Sequence, residues 1–412
     1  MSSSDEAIGL SNLACKLVAA GSVAAGLVLH RRAIAVSGDW QQKLLAAADM
    51  VNHGLVDEAA SLISQCPMHD PSVMVILAFV QLERGDPDGA ARLLEMGCSA
   101  RPGNADWRVS HAQAVLAAGD WERGFQLHEV RPKRQALNGT FKRWDGSRVD
   151  RLLVWSDEGV GDLVMFARYI PLLAERVGKL VIGLPPEAHA LMARFAKYGE
   201  FTAGSHAGMK LDAEVAMMSL PMYFGTTPDN IPADPGLLSV GTINGSLADA
   251  SKRNIAIAWT GNQEFKRRHL RDMPLTAMLG LAEDRDNRLY GVVTGARAAD
   301  IAQAGAQPLV TDLSGHVMSD FTATAAVINS MDAVVTTCCG IAHLAGALGK
   351  PTILCLATLA DWRWLYGRDT TGWYPSVRLV RQRKPHEWRP VIDEARALLS
   401  EMPIRRSREF GW

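Results

Sequence analysis

The chain has 412 residues, of which 48% are hydrophobic and 21% are charged. This composition is that of a folded globular protein and excludes disordered and collagen-like chains, and the length predicts two to three domains. Its 43 Lys and Arg against 44 Asp and Glu give a formal net charge of −1. A near-neutral chain lacks the broad positive field of a general nucleic-acid binder, so we expect no nucleic-acid partner. A net charge near zero is still compatible with a local basic patch.

The cysteines and the N-terminal residues predict a cytoplasmic protein. Six cysteines, none in a Cys-x-x-Cys pair, give neither a disulfide framework nor a zinc-finger spacing. Asp5 and Glu6 precede any apolar run and no basic segment comes before them, which is unlike a signal peptide. The apolar stretch 17–29 is shorter than the roughly 20 residues that span a bilayer, so we expect no integral membrane segment.

Glycines punctuate the first 130 residues at intervals of 31 to 34, close to the tetratricopeptide period: Gly21, Gly54, Gly85 and Gly119. A small residue follows five or six positions after the later three, which would let paired helices approach closely. Pro71 and Pro102 are predicted to lie at the ends of second helices. We predict three or four degenerate tetratricopeptide-like repeats within residues 1–130, the alternative being a generic helical bundle. Such a solenoid presents a concave face to a peptide or partner protein.

From about residue 151 the pattern changes to short apolar runs, each followed by a glycine-containing loop and a helical segment, which is typical of βαβ units. The predicted strands are 152–155, 180–184, 214–218, 255–259, 289–293, 333–337, 352–356 and 377–380. A polar segment at 244–254 predicts an interdomain linker. We therefore expect two α/β domains, at 131–250 and 251–412, facing a common cleft.

The first candidate site is the loop Gly159-Val160-Gly161-Asp162, between the strand 152–155 and a predicted helix at 163–174. A strand, glycine loop and helix together present free backbone N–H groups to an anion or polar ligand. Asp162 is predicted at or near the helix N-cap. Its role is open between catalysis and capping alone, since Asp is a preferred N-cap residue.

The second candidate site follows the strand 255–259, where Gly261 and Asn262 lead into a cluster of cations: Lys266, Arg267, Arg268 and Arg271. Loops at the carboxyl ends of strands are where open α/β sheets bind ligands. Cations there could neutralise a diphosphate leaving group. The alternative is a solvated basic loop.

The third candidate site is the turn Cys338-Cys339-Gly340 after the strand 333–337, followed by a predicted helix at 341–348 that contains His343. Backbone N–H groups from Cys339 to Ala342 would point at a phosphate. His343 is open between a ligand contact and a packed core histidine.

Motifs spread over residues 120–395 resemble the bacterial tetratricopeptide-repeat glycosyltransferases, whose catalytic half is similar to the heptosyltransferases of glycosyltransferase family 9. They are Trp144-Asp145-Gly146, the Gly159–Asp162 loop, Phe166-Ala167-Arg168-Tyr169, Trp259-Thr260-Gly261-Asn262, Asp320-Phe321-Thr322-Ala323-Thr324, His343-Leu344-Ala345-Gly346, Asp361-Trp362-Arg363-Trp364 and Trp373-Tyr374-Pro375-Ser376. The resemblance implies a helical solenoid followed by a GT-B pair of Rossmann-like domains. In that fold the acceptor binds the first domain and the nucleotide-sugar the second.

The resemblance also implies roles for individual residues. Asp162 matches the family's general base, and the acceptor-side loop comprises Glu158, Gly159, Gly161 and Arg168. The donor side comprises Gly261, Asn262, Lys266, Arg271, Cys339, Gly340, Ile341 and His343. The implied reaction is an inverting, metal-independent transfer of a sugar from a nucleotide-diphosphate donor to an acceptor, and we expect no metal or cofactor. The acceptor is predicted to be a protein that the repeats recruit.

The sequence departs from the family pattern at two places. Cys338 and Cys339 stand where the family has Asp and Thr, and Asp157-Glu158 stands where it has Glu-Gln. The alternative hypothesis is therefore a catalytically degenerate interaction or scaffold protein. A further alternative is a heptosyltransferase-like enzyme that acts on a glycan.

Overall fold

A computed structural model describes residues 3–134, 140–204, 206, 208–233, 236–242, 249, 251–262, 268–317 and 321–402. The chain divides into two compact units. The first comprises Met1–Val130 and Asp361–Gly367, and the second comprises Arg131–Ala360 and Arg368–Trp412. The division into domains at 1–130, 131–250 and 251–412 stays a prediction.

The first unit consists of helix pairs, as the sequence predicts. Its helices are α1 (Ser3–Ala19), α2 (Val23–Ser37), α3 (Trp40–Asn52), α4 (Val56–Ile63), α5 (Pro71–Glu83), α6 (Pro87–Ala100), α7 (Ala105–Ala117) and α8 (Trp121–His128). The four spaced glycines each occupy the turn inside one pair, with φ of 86°, 78°, 79° and 90° in chain order. These left-handed values strain any residue with a Cβ atom, which explains why glycine recurs there.

The paired helices approach closely at one position of each pair. The residue five positions after each turn glycine is small and buried: Gly26, Ala59, Ala90 and Gly124. A Cβ atom added to Gly124 would lie 2.7 Å from the Leu116 side chain. Small residues at this position therefore set the spacing between the two helices.

Pro71 begins a helix instead of ending one, so that part of the sequence prediction is wrong. It is the first residue of α5, and the Asp70 side chain caps this helix by accepting from the Ser72 backbone N–H. Proline suits the first helical turn because its missing N–H would have no intrahelical partner there.

The segment Asp361–Gly367 groups with the helices of the first unit through aromatic contacts. The ring of Trp362 meets Phe125 edge-on at a centroid distance of 5.5 Å and Trp121 at 6.1 Å. The Tyr366 hydroxyl donates to the Leu82 carbonyl at 3.0 Å. Edge-to-face aromatic pairs add stability beyond the area that they bury, which helps to hold this segment on the helices.

The second unit contains two parallel sheets. The first has the order β3-β2-β1-β4. Its strands are β1 (Arg151–Trp155), β2 (Lys179–Gly183), β3 (Gly199–Thr202) and β4 (Ala213–Ala216), with helices α9 (Val160–Phe166), α10 (Ile170–Ala174) and α11 (Leu220–Tyr223). Strands β1 and β4 are buried almost throughout. Continuous apolar runs of this kind are typical of parallel strands covered on both faces.

The second sheet has the order β10-β9-β8-β5-β6-β7. Its strands are β5 (Arg253–Ala258), β6 (Asn287–Gly291), β7 (Val310–Asp312), β8 (Ala333–Thr337), β9 (Thr352–Leu356) and β10 (Val377–Arg381). The helices in this part are α12 (Arg268–Arg271), α13 (Leu275–Met278), α14 (Asp300–Gln303), α15 (Phe321–Ser330), α16 (Gly340–Ala347) and α17 (Arg389–Ser400).

The helical N-terminal stretch followed by parallel Rossmann-like sheets confirms the predicted fold class, and all eight predicted strands are present. The sequence missed β3 and β7, which are short edge strands with partly exposed residues. Asn254 belongs to β5 and not to the predicted linker, of which residues 244–248 and 250 lie outside the described part of the chain.

The strand order places a topological switch point in each sheet. In the first sheet the chain leaves β1 toward β2 on one side and returns to β4 on the other. In the second sheet it leaves β5 toward β6 and returns to β8. Open α/β sheets bind ligands at the carboxyl ends of the strands that flank such a point. The loops after β1, β4, β5 and β8 are therefore where a ligand site is expected.

Candidate functional site

The loop after β1 places Asp162 inside the first turn of α9. Gly159 is the N-cap, with extended backbone at φ −75° and ψ 170°, so Asp162 lies near the cap, as predicted, and is not the cap residue. Asp162 is the third residue of the helix and is half-buried. A carboxylate in the first turn is favoured by the positive end of the helix dipole.

Asp157, one of the departures from the family pattern, is neutralised by a residue that precedes the first sheet. The Arg131 guanidinium donates to the Asp157 carboxylate at 2.7 Å from Nε and 2.6 Å from Nη2, and both side chains are buried. The Met218 backbone N–H, just after β4, donates to the other carboxylate oxygen at 3.3 Å. Asp157 therefore joins the two loops at the first switch point.

Glu158 is the second acidic residue of this loop and pairs with Lys133 at 2.9 Å. Burial raises the pKa of the Glu158 carboxyl, with Asp162 and Asp157 adding to the rise, while the Lys133 ammonium opposes it. The same hydrogen bond raises the pKa of Lys133. Three carboxylates and one lysine thus share the space beside the start of α9.

Gly161 brings the two sheets together at their switch points. A Cβ atom added to it would lie 2.8 Å from Cδ2 of His343 and 3.5 Å from Cα of Gly340. Real Cβ atoms essentially never approach another atom as closely as 2.8 Å, so glycine at this position lets the first turn of α9 pack on the first turn of α16 without either turn shifting. Asp162 is the next residue in the chain, and its Oδ2 lies 3.9 Å from the position of a Cβ atom built on Gly159.

Gly261 makes a similar close approach within the second sheet. A Cβ atom there would lie 2.7 Å from Cβ of Cys339 and 3.2 Å from Nη2 of Arg271. The Arg271 guanidinium also donates to the Asn262 carbonyl at 3.3 Å. The second and third candidate sites therefore meet at the β5/β8 switch point. Lys266 lies outside the described residues.

The turn after β8 ends at Cys339, which is the N-cap of α16. Its backbone is extended, at φ −153° and ψ 179°, and its side chain makes no capping hydrogen bond. The Cys339 thiol is instead 3.3 Å from the Thr336 hydroxyl. Gly340 is exposed and Ile341 is half-buried. The Ala342 N–H donates to the Cys339 carbonyl at 3.0 Å, so the predicted run of anion-facing N–H groups from Cys339 to Ala342 is wrong at its last residue. The first N–H groups of a helix lack partners four residues earlier, so the turn can present the preceding ones to an anion.

His343 is buried one turn into α16, at 7% exposure, and pairs with Tyr374. Its Nδ1 is 3.1 Å from the Tyr374 hydroxyl. The Tyr374 ring lies against Gly346, where an added Cβ atom would collide with it. Tyr374 therefore fixes the orientation of the imidazole that contacts Gly161.

Arg168 is buried and tied to backbone carbonyls. Its guanidinium donates to the carbonyls of Met165 at 2.8 Å, Trp373 at 2.8 Å and Pro232 at 3.2 Å. Its Cζ also lies 5.3 Å from the ring centroids of both Trp373 and Tyr374. We propose that Arg168 positions the first sheet's helices against the 373–374 segment.

Sequence reasoning missed the roles of Arg131, Lys133 and Tyr374. Arg131 and Lys133 stand in a short basic run, Arg131-Pro132-Lys133-Arg134, which precedes the acidic loop by about 25 residues. That run is a detectable signal, but its pairing with Asp157 and Glu158 depends on the fold. Tyr374 belongs to the motif Trp373-Tyr374-Pro375-Ser376, but the sequence contains no signal that it contacts His343.

No family model matches the chain, and no curated protein matches it. Among solved structures it is similar to the ADP-heptose lipopolysaccharide heptosyltransferase II of E. coli, at 13% identity and a TM-score of 0.41, over 61% of this chain and 100% of that one. It is similar to a mutant O-GlcNAc transferase of Thermobaculum terrenum, at 14% identity and a TM-score of 0.35, over 98% of this chain and 95% of that one. It is also similar to a family 9 glycosyltransferase of Veillonella parvula, at 9% identity and a TM-score of 0.41, over 65% of this chain and 96% of that one.

The helices of the described residues are at most 17 residues long. None of them is both long enough and apolar enough to cross a bilayer.

Proposed function

We propose that this protein is an inverting, metal-independent glycosyltransferase that moves a sugar from a nucleotide-diphosphate donor to an acceptor hydroxyl. The observation that carries the proposal is the contact between Gly161 and His343. We propose that this contact sets the half-buried carboxylate of Asp162 beside the N-terminus of α16, at the switch point of the other sheet. A base and an anion-binding turn in one place are the two parts that such a transfer needs.

The donor side is the group formed by Gly261, Arg271 and the start of α16. The close approach of Gly261 to Cys339 leaves the Arg271 guanidinium next to the turn. A guanidinium and free helix N–H groups both favour negative charge, so they would hold the diphosphate as charge develops on the leaving group. Asn262, Gly340, Ile341 and His343 line the same turn, and Lys266 is proposed to join them.

The acceptor side is the loop from Glu158 to Asp162. Asp162 would take the proton from the acceptor hydroxyl as that oxygen attacks the anomeric carbon, and the donor's diphosphate would leave from the opposite face. Because Arg131 pairs with Asp157 and Lys133 with Glu158, the two neighbouring charges have partners of their own. A positioned general base contributes typically 10²–10⁴-fold to the rate.

The helix pairs of the first unit are proposed to recruit a protein acceptor. Stacked helix pairs form extended surfaces that bind peptides and partner proteins. We propose the cytoplasm as the compartment, since all six cysteines are free thiols.

The experiment is a transfer and hydrolysis assay over a panel of nucleotide-sugars with the wild type, Asp162→Asn and a matched control, Asp229→Asn. Asp229 is exposed in the same unit, so this control removes one carboxylate outside the site. We expect Asp162→Asn to lower kcat by about 10²–10⁴-fold with donor binding retained, and Asp229→Asn to match the wild type. Equal activity of Asp162→Asn and wild type would remove Asp162 as the base.

The second candidate function is a scaffold or nucleotide-sugar sensor without turnover. It is favoured by Cys338 and Cys339, which stand at the turn without the carboxylate and hydroxyl of the family pattern. Calorimetry with nucleoside diphosphates and nucleotide-sugars separates the two functions. Binding together with transfer supports the enzyme, whereas binding without any turnover across the panel supports the sensor.

A further inference from the structure

Three side chains of types that can ligate a metal ion lie together in the first unit, on helices that contribute no residue to the proposed catalytic site. Cys15 of α1, His30 of α2 and Asp49 of α3 each direct one ligand atom to the same place, and these atoms all lie within 4.8 Å of one another. His30 Nε2 is 2.8 Å from an Asp49 carboxylate oxygen. Cys15 and His30 are 15 positions apart in the sequence and His30 and Asp49 are 19 apart, so they form no short metal-binding motif.

The cluster is placed in surroundings that are costly for polar groups. His30 is completely buried, and its Nδ1 has no hydrogen-bond partner within the described part of the chain. The unpaired Nδ1 lies on the other side of the ring from Nε2, so Nε2, which faces Asp49, is the nitrogen that an ion shared with Asp49 would bind. The Asp49 side chain is only 19% exposed.

A polar seam continues from the cluster along the same two helices. The Ser11 hydroxyl, one turn before Cys15 on α1, donates to the Gln42 side chain, two turns before Asp49 on α3. Both Ser11 and Gln42 are buried. This second contact fixes the register of α1 against α3, which holds Cys15 opposite Asp49.

The Cys15 thiol also forms a hydrogen bond inside the cluster. Burial and the neighbouring Asp49 carboxylate, which accepts its hydrogen bond, raise the pKa of Cys15 to about 11. A bound cation reverses the situation, because a coordinating thiol loses its proton outright.

We propose that Cys15, His30 and Asp49 form a binding site for a divalent transition metal such as Zn²⁺, which fastens the first three helices of the solenoid together. Thiolate, imidazole and carboxylate are the three ligand types that zinc takes in proteins. Ligand atoms on tetrahedral zinc lie about 3.5 Å apart, so shifts of roughly 1 Å bring the present atoms into place. Cys15 and Asp49 are half-buried, which leaves the fourth position to water.

Metal binding exchanges one proton for the bonds to the ion. The metal ion forms bonds to the Cys15 sulfur, a His30 ring nitrogen and an Asp49 oxygen, and the thiol proton passes to solvent. No electron transfer is involved. Binding to the folded chain alone also raises its stability by mass action.

The experiment titrates the full chain, stripped of metal by a chelator, with Co²⁺ and then with Zn²⁺ in competition. Cobalt reports a thiolate ligand through a near-ultraviolet charge-transfer band and a four-coordinate site through intense visible bands. The variants are Cys15→Ser and Asp49→Asn, which keep a hydrogen-bonding group at each position. The matched control is Cys98→Ser, a half-buried thiol on α6.

We expect the wild type and Cys98→Ser to bind one cobalt ion with the thiolate band and to gain thermal stability from zinc. We expect Cys15→Ser to lose the thiolate band and Asp49→Asn to bind at least tenfold more weakly. Circular dichroism checks that each variant is folded. Absence of binding by the wild type, or binding that Cys15→Ser leaves unchanged, would overturn the proposal.

Discussion

Gly161 of α9 lies directly against the imidazole of His343 in α16, so that a single added carbon would stand 2.8 Å from Cδ2. This contact joins the Gly-x-Gly-Asp loop of one sheet to the turn after β8 of the other. The Tyr374 hydroxyl, 3.1 Å from His343 Nδ1, keeps the imidazole in the orientation that meets Gly161. The relative placement of Asp162 and the α16 N-terminus therefore depends on the absence of a side chain at residue 161.

Replacement of Gly161 by alanine is expected to push α9 away from α16. Inserting one methyl group into a packed contact costs typically 1–3 kcal/mol, so the free energy of unfolding should fall by about that amount. Urea denaturation measures the loss. Gly315→Ala is the control, because a Cβ atom there meets nothing within 4 Å. Equal stability of the two variants would mean that the contact does not hold the sheets.

Gly261 and Cys339 form a pair that a double-mutant cycle can test. Gly261→Ala places two Cβ atoms 2.7 Å apart and should separate the loops after β5 and β8, weakening nucleoside-diphosphate binding about tenfold. Cys339→Gly removes the opposing Cβ atom and is tolerated at an N-cap. The double variant should therefore bind more tightly than Gly261→Ala alone. Additive losses in calorimetric titrations would argue against the contact.

The ion pair between Arg134 and Glu214 is buried on both sides, at 1% exposure each, and should be costly to break. The Glu214 carboxylate also accepts from Trp155 Nε1 at 2.6 Å. Arg134→Met leaves this carboxylate buried without its cation, which destabilises typically by about 3–5 kcal/mol.

An exposed pair in the same sheet provides the comparison for Arg134→Met. Lys179 and Glu200 are 3.7 Å apart and more than half exposed, so Lys179→Met should leave the unfolding free energy nearly unchanged. Urea denaturation compares the two variants. In the double variant Arg134→Met with Glu214→Gln, part of the lost stability should return because the uncompensated charge is gone. A loss from Lys179→Met as large as that from Arg134→Met would refute the assignment.

Glu158 should make the stability of the protein depend on pH. Burial raises its pKa above the ordinary value near 4.5, so the folded state binds this proton more tightly than the unfolded state. The resulting stabilisation is fully present below about pH 4.5 and is lost as pH rises through the folded-state pKa. Glu158→Gln should remove this slope.

Lys133→Met tests the cause of the Glu158 shift. The ammonium opposes the rise in the pKa of Glu158, so its removal should raise that pKa further and move the pH-dependent window upward. Unfolding free energies from pH 4 to 8 would show the displacement. A window that stays in place in Lys133→Met would show that the pair does not act on this carboxyl.

The strands of both sheets could be predicted from the sequence because parallel strands buried on two faces appear as continuous apolar runs. Leu152 to Trp155 and Ala333 to Thr337 are examples, and both are buried throughout. The edge strands β3 and β7 were not predicted, because their residues are partly exposed and do not form a continuous apolar run. The turn glycines of the helix pairs were also visible, since a left-handed turn excludes most other residues.

The sequence by itself determined the order of the elements, the repeat period and the loops that carry Asp162, Gly261 and Cys339. Only the tertiary structure decided which of these loops meet, because such contacts join residues far apart in the chain. It also decided that Arg131 neutralises Asp157, and it brought Cys15, His30 and Asp49 to one point. Local sequence fixes periodicity and turn geometry, whereas charge pairing and ligand clusters depend on sheet order and helix register.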